Sequence, residues 1–548
     1  MSEAGVGHEA GQPTGDAADP ADADGFFLGL DLGTSGLKAI ALRPSGEVIA
    51  RASVGYPTTR PGPGAAEQDP RDWIAAIERA AGQVTADAPA CSWRAIGLSA
   101  MIPTLVTAGQ GGEPVGPAIT WEDGRAEPQA DRLREAYGAA AGRAGGEALY
   151  EVTGQQVDGR YLLPMYLRLI EDEPARAAGT AMLLGAKDYL FGWLTGSTAT
   201  DPSTATGFGC LTLQTGQWNP EILAAAAAGP SAAVATATRR AARREPGALP
   251  ELPPVLPATT ARPLRPGVAA RLGCGQIPVC LGAADSVLGA LGLGARSPGR
   301  IAYLAGTSTV ILGVADRPLL DPQRRFLVTA LAEPGLWGLE MDLLATGSAL
   351  RWLASLLGAG LDEAGVIALA AQLDPADAPV VLPYLSPGEQ GALWDPTLHG
   401  AITGLTLAHD RRHLARGLVN GIILESRRCL AVLDETATFG AELLAGGGGA
   451  AEPSFRADLA DATGRSVIMP NDEGTDHSAR GAALLAFEAI GHASRASEPG
   501  GSAAHTRSDT RDQCHLGARR TPDPRSHETW SRLWNAHELA RLGLNGCE

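Results

Sequence analysis

Residues 26–42 read Phe26-Phe27-Leu28-Gly29-Leu30-Asp31-Leu32-Gly33-Thr34-Ser35-Gly36-Leu37-Lys38-Ala39-Ile40-Ala41-Leu42. The opening apolar run predicts a buried strand. The Gly-Thr-Ser-Gly turn leads into Leu37 to Leu42 as a second strand, and Pro44-Ser45-Gly46-Glu47 turns the chain into a third at Val48-Ile49-Ala50. The pattern returns at Arg300-Ile301-Ala302-Tyr303-Leu304-Ala305-Gly306-Thr307-Ser308-Thr309-Val310-Ile311-Leu312. Both copies are strand, Gly-Thr-Ser turn, strand. Repetition so far apart predicts a duplicated domain rather than a short-period array.

Each turn offers clustered backbone N–H groups and two hydroxyls in one concave bend. Glycine there permits close backbone approach, and such nests bind anions, phosphate oxygens among them. Asp31, at the end of the incoming strand, adds a carboxylate that could hold Mg²⁺ beside phosphates. Taken singly, either turn is equally an ordinary tight hairpin. No Walker A pattern is present, nor a G-x-G-x-x-G that follows a strand and opens a helix.

Two further glycine sites suit a nucleotide. Leu443-Leu444-Ala445 runs into four glycines and Ala450, ahead of a helix predicted from Phe455 to Ala462. Ala345-Thr346-Gly347-Ser348 precedes a helix predicted over 349–357, offering a helix N-terminus. No histidine lies between Phe26 and Leu398, and no nucleophile elbow is present, so a carboxylate is the natural base. Asp285 is best placed, following the apolar strand Pro278 to Gly282 and opening a helical run; an N-cap role is compatible with that.

At 548 residues the chain exceeds one hydrophobic core, and 45% apolar residues supply more than one. The net charge of −17 argues against a nucleic-acid or anionic-membrane partner. No stretch approaches the about 20 apolar residues of a membrane-spanning helix. Seven scattered cysteines without a C-x-x-C pair suggest neither a disulfide framework nor a zinc site and fit a reducing cytoplasm. The expected organisation is an acidic disordered tail over 1–25, a first domain over 26–277 with a solvated insertion near 221–250, a second domain over 278–490, and a disordered tail over 491–548 whose last part, Trp530 to Leu544, could form a short helix.

Taken together these motifs resemble the FGGY carbohydrate kinases, closest to the xylulokinase-like branch with gluconokinases next. The resemblance rests on 29–35; Ile96-Gly97-Leu98-Ser99; Pro117 to Arg125; Gly282-Ala283-Ala284-Asp285; Ala305-Gly306-Thr307-Ser308; Gly400 to Leu405; and Gly447-Gly448-Gly449-Ala450. It implies an α/β fold of two actin-like (ribonuclease-H-like) ATPase domains with the active site in the cleft between them. It implies ATP and Mg²⁺ as cofactors, Asp285 as base, and Asp31 beside Mg²⁺ and the transferred phosphoryl. Gly33, Thr34, Ser35, Gly306, Thr307 and Ser308 would line the phosphates, and Gly347, Gly448, Gly449 and Ala450 the nucleotide. Met101, Ile102, Trp121, Asp123, Tyr161 and Asp285 would meet a small-molecule sugar. A homodimer is the expected assembly.

The acceptor site departs from the family pattern. Ile102-Pro103 stands where xylulokinases carry Met-His, removing a hydrogen-bonding group from a place where such groups set specificity. Met165 and Arg168 replace the family's lysine and tryptophan, with Arg160 and Tyr161 nearby as substitutes. Gly417 and Asn420 depart from the second family signature. A ketopentose such as D-xylulose is the expected acceptor, with gluconate or another polyol or cyclitol as the alternative. A catalytically silent actin-like nucleotide sensor is the rival of another class.

Overall fold

The computed structural model describes residues 25–228, 249–496 except 359, 387, 388, 396, 472, 473 and 475, and 516–544. The expected tail over 1–25 therefore lies, but for Gly25, outside the described residues, as does most of the 221–250 insertion. The part of that insertion that is described is a surface helix with one face buried. Pro220–Ala228 turns Ile222 and Ala226 into the core of the first domain.

The opening meander forms as its pattern predicts. Strands Phe26–Leu32, Gly36–Leu42 and Val48–Gly55 pair antiparallel, and Phe26–Leu32 also pairs parallel with Trp93–Ala100. The sheet continues through Pro278–Ala284, parallel to Trp93–Ala100, and ends on Ala261–Pro263. The second sheet repeats the plan. Ile301–Ala305 and Thr309–Ala315 form the hairpin, and Ile301–Ala305 pairs parallel with Glu442–Gly446. Nine strands make up this sheet, against six in the first.

Two sequence expectations are corrected here. The boundary at 277/278 is misplaced, because Pro278–Ala284 belongs to the first domain's sheet; the divide falls between Ala284 and Ile301, where the second sheet begins. The tail beyond 490 is also ordered where described. Helix His477–Ala496 runs past that point, Leu516–Arg520 adds an edge strand beside Ser466–Pro470, and helix His527–Leu544 packs on the long helix Arg411–Thr436. The tail lacks an apolar stripe because a few large side chains hold it instead. Trp530 is buried in the second domain's core, His537 Nε2 lies 2.7 Å from the buried Glu425 Oε1, and Arg428 stacks over Trp534. Trp530→Ala is expected to destabilise that domain by about 3–5 kcal/mol. Chemical denaturation of the full chain tests this, and an unchanged unfolding midpoint would show the helix to be a passive attachment.

The domains meet along two crossing helices. His477–Ala496 lies against strands Phe26–Leu32 and Trp93–Ala100 so closely that a Cβ at Gly29 or Gly97 would come 1.9 Å from the carbonyl oxygens of Ala479 and Ala482. Gly481 of the same helix passes Leu288 with equal closeness. A third apolar core, built from Phe27, Ile40 and Ala95 on one side and Ala302, Leu312 and Leu444 on the other, joins the two sheets.

Candidate active site

The first turn is braced from three directions. Gly33 N donates to Gly36 O at 3.1 Å, Gln68 Nε2 donates to Thr34 O at 2.8 Å, and the Tyr56 hydroxyl donates to Gly33 O. Trp121 Nε1 donates to Thr34 Oγ1 at 2.9 Å, tying the candidate sugar-facing indole directly to this turn. Ser35 is exposed at the tip.

The second turn is built into the nucleotide side. Gly306 N donates to Ser308 O at 2.8 Å, and Ser348 N, at the start of helix Gly347–Leu357, donates to Thr307 O at 3.0 Å. A Cβ at Gly347 would sit 2.3 Å from Gly306 O, so this helix N-terminus must abut the turn through a glycine. Gly447, at φ +91°, makes the same approach to Ala305 O and opens the short helix Gly448–Ala451. Gly306, Thr307, Ser308, Gly347, Gly448, Gly449 and Ala450 are thereby gathered around one end of the second sheet. Backbone N–H groups at a turn and at a helix N-terminus are what phosphate oxygens require.

Between the two turns lie the charges. Asp31 is buried, with Ser99 Oγ donating to its Oδ1 at 2.6 Å. Burial and the neighbouring Asp476 push its pKa up to about 7, against the opposing pull of Lys38 and Ser99. Asp285 opens the helix Asp285–Gly292 and accepts from Ser286 N at 3.0 Å. Burial, then the charges of Asp31 and Glu340, raise its pKa well above the usual carboxylate range. Asp342 is pushed to about 8 by burial and by Glu340, with Arg160 opposing.

Four groups here escaped the sequence reading. Lys38 Nζ bonds Asp476 Oδ2 at 2.7 Å; burial works against its charge, but Asp476, Asp31 and Asp285 outweigh it and raise its pKa. Hairpin register held the signal for Lys38, since it pairs directly opposite Asp31. Asp476 caps the helix it precedes, accepting from Ala479 N at 2.8 Å. Glu340 and Asp342 alternate on strand Trp337–Leu343, a spacing that places both on one face.

Three of the expected sugar contacts are buried. Met101 is buried in the first domain's core. Asp123 is buried and its carboxylate is committed to the protein, accepting from Ala66 N at 3.0 Å, from Arg125 N at 3.1 Å and from the Arg125 guanidinium. Tyr161 is buried, its hydroxyl bonding Gln155 Oε1 at 3.1 Å. Ile102 is half-buried against the core shared by the two domains.

Among the described residues no group of three or more His, Cys, Asp or Glu is arranged to hold a metal ion. A Mg²⁺ ion needs only one or two carboxylates when phosphates and water complete its shell. Asp31 fits that part, being an acid whose ionised form is disfavoured by burial and by a neighbouring carboxylate until a cation arrives.

The profile of the FGGY family of carbohydrate kinases, N-terminal domain, matches residues 26–292, and that of the C-terminal domain matches residues 301–490. The chain belongs to the FGGY family of carbohydrate kinases. The xylulose kinase of Escherichia coli K12 is 30% identical over 445 residues, covering 81% of this chain and 86% of that protein. The gluconokinase of Bacillus licheniformis is 28% identical over 480 residues, covering 85% and 88%. Among solved structures, the xylulose kinase of Rhodospirillum rubrum superposes with a TM-score of 0.77 at 29% identity, over 95% of this chain and 99% of that one. This FGGY kinase thus has the two-domain α/β fold of its relatives and is an ATP-dependent kinase acting on a small carbohydrate. The family profiles end and begin at residues 292 and 301, within the interval between the two sheets. No helix among the described residues is long and apolar enough to cross a membrane.

The raised acids of this FGGY kinase give its stability a sign. Asp31 and Asp342 hold protons in the fold at pH values where the unfolded chain, with carboxyl pKa values near about 4, has released them. Their contribution to stability therefore falls as pH rises from about 4 through 7 to 8. Asp31→Asn and Asp342→Asn are each expected to flatten the fall in melting temperature between these limits. Melting curves running parallel to the parent's would refute the assignment.

Proposed function

We propose that the acceptor is a ketopentose of the D-xylulose type and that Asp285 is the base for its phosphorylation. The observation that carries this reading is the convergence of Asp31, Lys38 and Asp285 between two Gly-Thr-Ser turns, one from each domain. In the proposed step the acceptor hydroxyl gives its proton to an Asp285 carboxylate oxygen as its own oxygen bonds the γ-phosphorus. The bond from that phosphorus to the β,γ-bridging oxygen breaks, and ADP leaves.

Phosphoryl transfer asks the protein chiefly for positioning and charge stabilisation. Thr34, Ser35, Thr307 and Ser308 with their backbone amides would hold the phosphate oxygens, and Lys38 would offset the charge spreading over them. Asp31 would hold Mg²⁺, which supplies neutralisation of phosphate charge when bound. A base poised above the usual carboxylate range is better matched to an alcohol proton than an ordinary aspartate. Trp121, anchored on Thr34, would lay an apolar ring beside the acceptor's carbon face.

The xylulose reading is supported by the E. coli xylulose kinase, 30% identical over 81% of this chain. A second reading, gluconate, is favoured by the gluconokinase similarity over 85% of the chain and by Ile102-Pro103, which lacks the xylulokinase hydrogen-bonding group. Arg160, ion-paired with Asp158 and close enough to Asp342 to lower its pKa, would be the cation for a carboxylate acceptor. ADP release from Mg·ATP, measured against ketopentoses, polyols and sugar acids, separates these. The highest kcat/KM is expected for D-xylulose; a higher value for gluconate moves the assignment to sugar acids. No stimulation by any acceptor would leave the nucleotide-sensor reading.

A further inference from the structure

The backbone at Asp285 is held by a buried side-chain chain that the proposed chemistry does not itself use. Strand Pro278–Ala284 breaks register with its neighbour between Cys280 and Ala283. At its end the amide of Ala284 donates to Ser203 Oγ, 2.9 Å away. The Ser203 hydroxyl is 2.5 Å from Asp201 Oδ2. An ionised carboxylate only accepts, so the order of donation is fixed: Ser203 gives its proton to Asp201 and receives the N–H of Ala284. Asp201 also accepts from Ser203 N at 2.9 Å and lies 3.1 Å from Lys187 Nζ.

Lys187 is fully buried, with Asp188 Oδ1 at 3.2 Å as its second partner. Burial opposes its charge, and Asp201 and Asp188 outweigh that and raise its pKa. A buried ion pair is a poor source of stability, because desolvation offsets most of the attraction; a well-packed apolar replacement often does as well. What it does supply is a fixed direction for the hydroxyl of Ser203. From the other side, Ser478 Oγ donates to the carbonyl of Asp285 at 2.9 Å.

We propose that Ser203, oriented by the Lys187–Asp201 pair, is a positioning residue for Asp285, fixing the strand end so that the carboxylate meets the acceptor hydroxyl. The proposal rests on Asp285 being the base. The experiment uses the full chain with Mg·ATP and D-xylulose, or gluconate where that is the faster acceptor. Ser203→Ala is expected to lower kcat about 10- to 100-fold, the cost of a misplaced reacting group, with KM for ATP unchanged. Ser203→Thr, which keeps the hydroxyl, is expected to recover part of the loss. In an Asp285→Asn background, Ser203→Ala is expected to lower the residual turnover no further, since there is no base left to position.

Wild-type kcat in Ser203→Ala overturns the proposal. So does an equal loss in both backgrounds, which is what a merely structural serine would give. Where Ser203→Ala does not fold, Ser203→Cys keeps the size, weakens both hydrogen bonds and is read by the same criteria. An Asp285→Asn protein as active as the parent overturns the base assignment itself and this proposal with it, whereas an inactive Asp285→Asn beside a fully active Ser203→Ala overturns this proposal alone.

Discussion

Asp285→Asn is expected to lower acceptor-dependent ADP release by about 10²- to 10⁴-fold, the range over which a positioned general base contributes. Asparagine keeps the side chain's size and its place at the start of helix Asp285–Gly292, so the fold has no reason to fail. What it loses is the one oxygen set able to receive the acceptor's proton. Nucleotide affinity is expected to hold or improve, because the substitution removes a negative charge from a site that must admit phosphates beside Asp31. The parent's kcat is expected to rise with pH as Asp285 ionises, and this acidic limb is expected to disappear in the variant. A coupled assay of ADP release with parallel ATP titration reads all three. Turnover in Asp285→Asn close to that of the parent would mean the base lies elsewhere.

Gly97→Val is expected to be among the most damaging single changes in the fold. A Cβ there would stand 1.9 Å from the carbonyl oxygen of Ala482, which is backbone and cannot rotate aside. Overpacking a well-filled core commonly costs about 1–3 kcal/mol and occasionally more; with a helix backbone as the obstruction the upper end is expected. The damage would not stay local. Helix His477–Ala496 carries Ser478, which holds the Asp285 carbonyl, and is capped by Asp476, the partner of Lys38. Displacing it is therefore expected to lower kcat together with the denaturation midpoint. Gly491→Ala on the same helix is the control, since a Cβ there meets nothing within 4 Å. Helix propensity alone is expected to make that change neutral or stabilising by up to about 1 kcal/mol. Equal losses in the two variants would show that close approach at Gly97 is not what matters.

Much of this was readable from residue order, where the determinants are local. Both Gly-Thr-Ser hairpins, the glycine run at 446–449 and the strand-to-helix step at Asp285 carry their signal within a dozen residues. What was lost depends on partners far along the chain. Pro278–Ala284 looked like the start of a new domain because its parallel neighbour, Trp93–Ala100, is remote in sequence. The helix at the end of the tail was legible, but the strand Leu516–Arg520 and the docking of that helix were not, because Trp530 and His537 anchor it singly rather than as a stripe. Asp123 looked like a ligand for hydroxyls because an acid's position does not reveal whether an arginine two residues on already holds it. Lys38 could have been found, since the hairpin's register sets it opposite Asp31.

The chain has two lysines, and their fates differ: Lys187 is sealed in the interior, while the side chain of Lys38 keeps half of its surface open to water at the cleft. Apart from the terminal amine, acylating or carbamylating reagents selective for amines therefore have a single accessible lysine. Any such adduct would cancel the positive charge beside Asp31 and leave the rest of the surface untouched. Lysine-directed chemistry that elsewhere scatters over a protein is here addressed, by composition and burial, to one position.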